Sequence, residues 1–158
     1  MLIIYRLLTN LILILSPIIL ITRLSKNKED PKRFREKFCF FSKKRNKGKL
    51  IWFHGASVGE LQSIIPLIEK LDKNKKIDQI LITSNTLSSS KVINNLKFKK
   101  VIHQFFPIDV NSFSKKFLNY WKPSIAFLCE SEIWPNLINR AKHKKIKFDP
   151  KISISFDK

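Results

Sequence analysis

The sequence predicts an α/β domain with a Rossmann-like, mostly parallel sheet, helices on both faces, and a membrane helix before it. Three observations predict this. From Leu50 onward, short apolar runs bounded by turn residues alternate with segments whose apolar residues recur at helical spacing. Strand–helix repeats of this length imply right-handed crossovers between parallel strands. The first 22 residues are mostly apolar and long enough to cross a hydrocarbon core.

The N-terminal run is broken by Arg6, Thr9, Asn10, Ser16 and Pro17, so a tilted or interfacial helix is the alternative to a spanning one. It has a thin basic start and no small-residue cleavage site, which argues against a secretory signal. Between Arg23 and Lys49 the chain carries twelve basic residues against Glu29, Asp30 and Glu36. Positive charge directly after an apolar run places that side in the cytoplasm and attracts anionic head groups. Phe34, Phe38, Phe40 and Phe41, interleaved with these cations, suit a membrane interface better than a solvated linker. The expected organisation is a membrane anchor over 1–22, a basic juxtamembrane segment over 23–48, and the α/β domain over 49–158.

Each element of that domain has its own justification. Leu50-Ile51-Trp52-Phe53 reads as a buried strand, and Leu61, Ile64, Ile65, Ile68 and Leu71 give the following helix one apolar face. Gln79–Thr83 is a second strand, followed by a polar helix over 88–96. Val101–Phe106 is a third, closed by Pro107. Phe113, Phe117, Leu118 and Trp121 stripe a helix over 111–120. Ile125–Cys129 is a fourth strand, and Trp134, Leu137, Ile138 and Ala141 share one face of a helix over 133–144. In such sheets ligands collect beyond the carboxyl ends of the strands. The loops at 54–60, 84–88 and 130–135 therefore share one rim.

Two of those loops carry the candidate chemistry. In His54-Gly55-Ala56-Ser57-Val58-Gly59-Glu60, a carboxylate sits at the mouth of a helix whose free N–H groups favour its ionised form, so Glu60 can serve as a general base. The same residue types also make an ordinary first helical turn. Gly55 and Gly59 allow close backbone approach. In Glu130-Ser131-Glu132-Ile133-Trp134-Pro135-Asn136, helix capping accounts for Ser131 and Glu132 but leaves Glu130, at the strand end, for a functional role.

Other chemistries find little support. The formal net charge of +19 suggests an anionic partner, although a composition rich in lysine, asparagine and isoleucine raises charge without selecting for a ligand. No zinc spacing or recognition-helix motif points to nucleic acid. His54, His103 and His143 lack ligand-like spacing, so no metal site is expected. Neither G-x-G-x-x-G nor a Walker sequence occurs, which argues against dinucleotide and ATP enzymes. Cys39 and Cys129 are far apart and not expected to pair, and Cys129 reads as a small core residue.

Taken in order, the apolar N-terminus, Arg33-Phe34-Arg35-Glu36-Lys37-Phe38, His54–Glu60, Ile65-Pro66-Leu67 and Glu130–Ile138 resemble the N-terminal half of 3-deoxy-D-manno-octulosonic acid (Kdo) transferases. The resemblance runs from residue 1 to about 145. It implies the N-terminal half of a two-domain GT-B enzyme on the cytoplasmic face of the inner membrane. It also implies transfer of Kdo from CMP-Kdo to a lipid A precursor, with no cofactor and no metal. Glu60 is then the catalytic base and Glu130 supports the transition state. His54, Ser57, Val58, Gly59, Glu132, Trp134 and Asn136 would line the acceptor site. An inverting displacement follows, and Lys43, Lys44 and Arg45 are expected to meet acceptor phosphates.

Two departures qualify the resemblance. Where the family has Pro-Thr-Gly-Ser after the second strand, this chain reads Leu87-Ser88-Ser89-Ser90, whose serines can cap a helix. After the fourth helix, Phe148–Ser155 does not follow the family's strand and Asn-Ala-Arg pattern, and the chain ends at Lys158 before any donor domain. The expectation is a truncated or split transferase partnered by a separately encoded C-terminal domain. The alternative is a non-catalytic, membrane-bound acceptor-binding fragment or decayed remnant.

Overall fold

Alternate residues of the central strands feed two separate cores, and this places helices on both faces of the sheet. The computed structural model of the chain describes residues 2–129, 134–144 and 146–149. On one face Ile51, Phe53, Ile80 and Ile82 pack with Leu61, Ile64 and Ile68 of α2 (Val58–Lys73) and Ile93 of α3 (Leu87–Asn95). On the other, Leu50, Trp52 and Leu81 pack with Phe117, Leu118 and Trp121 of α4 (Asn111–Trp121) and with Leu137 and Ala141 of α5 (Pro135–His143). Strands buried on both faces lose polar alternation and read as continuous apolar runs.

The sheet is wholly parallel among the described residues, in the order β3-β2-β1-β4-β5. Its strands are β1 (Leu50–His54), β2 (Gln79–Ser84), β3 (Val101–Phe105), β4 (Ile125–Leu128) and β5 (Lys147–Asp149). The predicted fold class is the observed one, with ends moved by one or two residues. The strand at Lys147–Asp149 is additional. It pairs with Ile125–Phe127, so the chain does place a strand after its last described helix. The order reverses between β1 and β4, the switch point at which crevices form in open α/β sheets.

Helix α1 (Leu2–Ser25) is longer than the predicted anchor. Pro17 lies inside it and cannot donate to the carbonyl of Leu13. The Ser16 hydroxyl donates to that carbonyl instead, at 2.7 Å.

The basic segment differs from its reading as membrane-interface aromatics. Arg33 grips the buried carboxylate of Glu36 with two nitrogens, at 2.8 and 2.9 Å. Glu36 also accepts from the backbone N–H of Phe105 at 2.7 Å and from the Ser42 hydroxyl. This fastens a short 3-10 helix (Phe34–Phe38) to the end of β3. Cys39 is fully buried behind it, its thiol pushed up to about 11 by burial, and Phe41 stacks on Tyr120 at 3.9 Å. Of the four phenylalanines only Phe40 is exposed. Beyond that point the chain runs to the sheet edge opposite the rim. There the Lys44 carbonyl accepts from Gln79, at the start of β2, and Arg45 donates to the Trp121 carbonyl. The backbone of Lys44 and the side chain of Arg45 are thus anchored at the amino ends of the strands, away from the rim where acceptor phosphates were expected.

Another buried carboxylate, Asp109, joins α1, α4 and α5. It accepts from the Tyr5 hydroxyl (2.9 Å), the Ser114 hydroxyl (2.7 Å) and the backbone N–H groups of Asn136 and Leu137 (both 3.1 Å). Helix α5 has no side-chain cap of its own, so Asp109 satisfies its first free donors from another element. Replacing Asp109 by alanine strands three buried donors and the half-buried Tyr5 hydroxyl. Stability of the full chain should fall by about 3–5 kcal/mol, read as a lower urea midpoint.

Candidate functional site

The carboxyl ends of β1, β2 and β4 lie side by side, so the predicted common rim is observed up to the last described residue of the β4 loop. Glu130, Ser131, Glu132 and Ile133 fall outside the described residues. The parts that can be placed come from the loop after β1, the first turn of α2 and the start of α5.

Ser57 is the N-cap of α2, accepting from the Glu60 N–H at 3.3 Å. The Glu60 carboxylate turns back over the same turn. One oxygen accepts from the Ala56 N–H and the other from the Ser57 hydroxyl, each at 2.7 Å. This reciprocal arrangement is a variant of the capping box, in which the glutamate reaches the N–H of the residue before the cap. It orients the carboxylate at the helix N-terminus, where the dipole favours negative charge, and leaves it half-buried. The two glycines behave differently from each other. A Cβ on Gly55 would lie 2.7 Å from the Leu61 side chain, so this position does require close approach. Gly59 meets nothing within 4 Å and leaves open space beside Glu60. Val58 is half-buried between them, and Ser57 is exposed.

His54, the last residue of β1, is buried. Its Nδ1 sits 2.9 Å from the Thr83 hydroxyl, which also accepts from Trp52 Nε1 at 2.9 Å. Burial lowers its pKa to about 4, so the ring is neutral near pH 7. It packs against Phe106 at 4.4 Å and meets Trp134 edge-on at 5.9 Å. His54 Nε2 and Trp134 Nε1 are both buried and without a hydrogen-bond partner among the described residues.

Asn136, expected at the acceptor site, faces the interior. It is fully buried, donating its amide to the Asp109 carbonyl at 2.7 Å and accepting from Arg6 at 3.2 Å. The serine run also acts otherwise than expected. Thr86 caps α3, accepting from the Ser89 N–H, while Ser90 accepts from Arg33 at 3.1 Å. The sequence reading missed Asp109, whose only signal was a carboxylate just before a helix. A cavity of about 330 Å³ lies between α1 and this rim, lined by Tyr5, Thr9, Ile12, Phe106, Pro107 and Trp134 among others. No group of three His, Cys, Asp or Glu among the described residues could hold a metal.

His103 is the second buried histidine near the rim. Arg33 can only donate, so the 3.1 Å contact to His103 Nδ1 leaves the proton on Nε2, facing the Ser84 hydroxyl at 2.8 Å. Burial, with Arg33 and Lys43 adding to it, lowers its pKa to about 3. Between pH 6.5 and about 4 the unfolded chain protonates both rings while the folded chain leaves them neutral. Stability therefore rises with pH across that window and falls on acidification, by about 1.4 kcal/mol per pH unit per histidine at most. The urea midpoint of the full chain should drop between pH 7 and pH 4.5, and His103→Gln should flatten that slope.

Comparison with known proteins converges on one group. A family model described as 3-deoxy-D-manno-octulosonic-acid transferase (kdotransferase) matches residues 32–148. The 3-deoxy-D-manno-octulosonic acid transferase of Rickettsia bellii is 39% identical over 137 residues, covering 87% of this chain and 33% of that protein. A probable mitochondrial 3-deoxy-D-manno-octulosonic acid transferase of Arabidopsis thaliana is 41% identical over 109 residues, 69% of this chain and 24% of the relative. The Haemophilus influenzae transferase is 31% identical over 144 residues, 89% and 34% respectively. The chain spans about a third or less of the length of these relatives.

Proposed function

The chain belongs to the 3-deoxy-D-manno-octulosonic-acid (Kdo) transferase family, and from that premise we propose that it is the acceptor-binding half of a GT-B glycosyltransferase. The reaction is transfer of Kdo from CMP-Kdo to a lipid A precursor at the cytoplasmic face of the inner membrane. It proceeds by an inverting displacement without metal, with Glu60 as general base. The observation that carries this reading is the Glu60 carboxylate, held from two sides beside the open flank of Gly59 at the switch-point rim.

A sugar hydroxyl is a poor nucleophile until a base within hydrogen-bond reach takes its proton as the new bond forms. Each Glu60 oxygen accepts one hydrogen bond and keeps a lone pair for that proton. The donor carbon passes through an oxocarbenium-like state as CMP departs from the opposite face. Glu130 supports that state. Ser57, Val58, Gly59, Glu132 and Trp134 surround the acceptor, while buried, neutral His54 supports the turn from beneath through Thr83 and Trp134. Asn136 positions rather than binds, by fixing the start of α5. The donor half, which holds CMP, belongs to the complete protein or to a separately encoded partner.

One observation favours a second reading, a non-catalytic fragment that binds acceptor. The capping box accounts for both oxygens of Glu60 without any substrate. Glu60→Gln separates the two. The amide can keep both contacts, with Ser57 accepting where it now donates, while losing basicity. In the gene product expressed at its natural full length, this variant should lower Kdo transfer about 10²–10⁴-fold with an unchanged melting temperature. Unchanged transfer would leave Glu60 as a cap only.

A further inference from the structure

Helix α1 has 24 residues, enough to cross a bilayer, yet its buried positions follow one line along its whole length. Thr9, Ser16 and Leu20 are buried, and Tyr5, Arg6, Leu13, Arg23 and Leu24 are half-buried. At 100° per residue this three-four spacing stays on one face from end to end. On the side turned away from it, Ile3, Leu7, Ile14, Ile18 and Ile21 are 64–74% exposed.

Both ends of the helix are fastened to the same body. Near its start, Tyr5 donates to Asp109 at 2.9 Å and Arg6 to Asn136 at 3.2 Å. Near its end, Arg23 pairs with buried Glu29 at 2.6 Å. Glu29 also holds Lys37, which reaches the Asn85 carbonyl beyond β2. Eighteen residues separate Tyr5 from Arg23, about 27 Å of helix. A helix crossing the hydrocarbon would have to break one set of these contacts or draw the polar rim around Asp109 into lipid, where unsatisfied backbone groups cost several kcal/mol each.

We propose that α1 does not span the membrane but lies in the plane of one leaflet, its seam on the domain and its Ile3–Ile21 face in the acyl region. The occupant of that face is an anionic lipid leaflet. Lys26, Lys28, Lys32 and Arg35 are exposed just beyond the apolar face, where they meet negative head groups. Because α1 crosses the rim, this orientation holds the Glu60 turn at head-group depth and opens the cavity beside Tyr5 and Trp134 toward lipid. The proposal rests on the reading of the chain as membrane-associated.

The test places one cysteine ahead of Met1 and, separately, makes Lys26→Cys in the full chain, with the wild type as background for Cys39 and Cys129. A membrane-impermeant maleimide is then applied to spheroplasts and to sealed inside-out vesicles of an expressing bacterium. An in-plane helix gives labelling of both sites in inside-out vesicles and none above background in spheroplasts. Labelling of the cysteine ahead of Met1 in spheroplasts alone, with Lys26→Cys labelled from the other side, would show a spanning helix and overturn the proposal. A chain recovered free of membranes after lysis would overturn it too, through failure of the membrane reading itself.

Discussion

Much of the architecture near the rim depends on one buried carboxylate. Asp109 sits in the loop after β3 and takes four hydrogen bonds from three helices. Helix α5 begins at Pro135 with free N–H groups and no local cap, and in a buried setting those donors must be met from elsewhere. Asp109 meets them, and the Asn136 amide closes the joint by donating to the Asp109 carbonyl. The direction in which the chain leaves Trp134 is thereby set by a residue 25 positions upstream. Trp134 in turn packs on Phe106 and on His54, the residue that leads into the Glu60 turn. Cap, aromatic cluster and candidate base form one connected unit.

The charged segment before β1 obeys a similar constraint. Burying an ion pair costs desolvation, which is offset only when geometry is good and the remaining lone pairs are satisfied. Glu36 meets both conditions through the two-pronged Arg33, the Phe105 N–H and Ser42. Arg33 extends the network to His103 and Ser90, so the serine at position 90 does work that no cap would need. The cations of this segment therefore divide. Arg23, Arg33, Lys37 and Arg45 hold the segment onto the domain, while the exposed lysines shape the surface potential.

The sheet and its two layers were legible because burial on both faces leaves its mark locally, as uninterrupted apolar runs and single-faced helices. Ile51 and Phe53 against Leu50 and Trp52 show that period directly. What was not legible depends on distant partners. Nothing in the neighbourhood of Asp109 tells that its carboxylate caps α5, and nothing around Glu36 tells that it meets Phe105. Without those partners, Phe34–Phe41 reads as membrane-facing and Asn136 as ligand-facing. The three-residue strand at Lys147–Asp149 is too short to show a period. Glu60 is ambiguous for a different reason. A helix cap and a general base need the same residue in the same place, so only a change that separates charge from hydrogen bonding tells them apart.

The interruptions of the N-terminal apolar run carry a further lesson. Arg6, Thr9, Asn10, Ser16 and Pro17 weaken it as a spanning segment, because each polar group in hydrocarbon must find a partner. Three of the five, Arg6, Thr9 and Ser16, fall on the seam that packs against the domain. Arg6 reaches Asn136, while the Thr9 and Ser16 hydroxyls bond back to carbonyls of α1 itself. Polar residues placed by chance would not favour the one buried face. A mixed seam of polar and leucine side chains against the domain, with isoleucines and leucines turned away, is the pattern expected of a helix that has protein on one side and, under the proposal above, lipid on the other. In that arrangement Asp109 bonds both α1 and the start of α5. The depth of α1 in lipid and the position of Trp134 at the rim are then mechanically coupled through a single carboxylate.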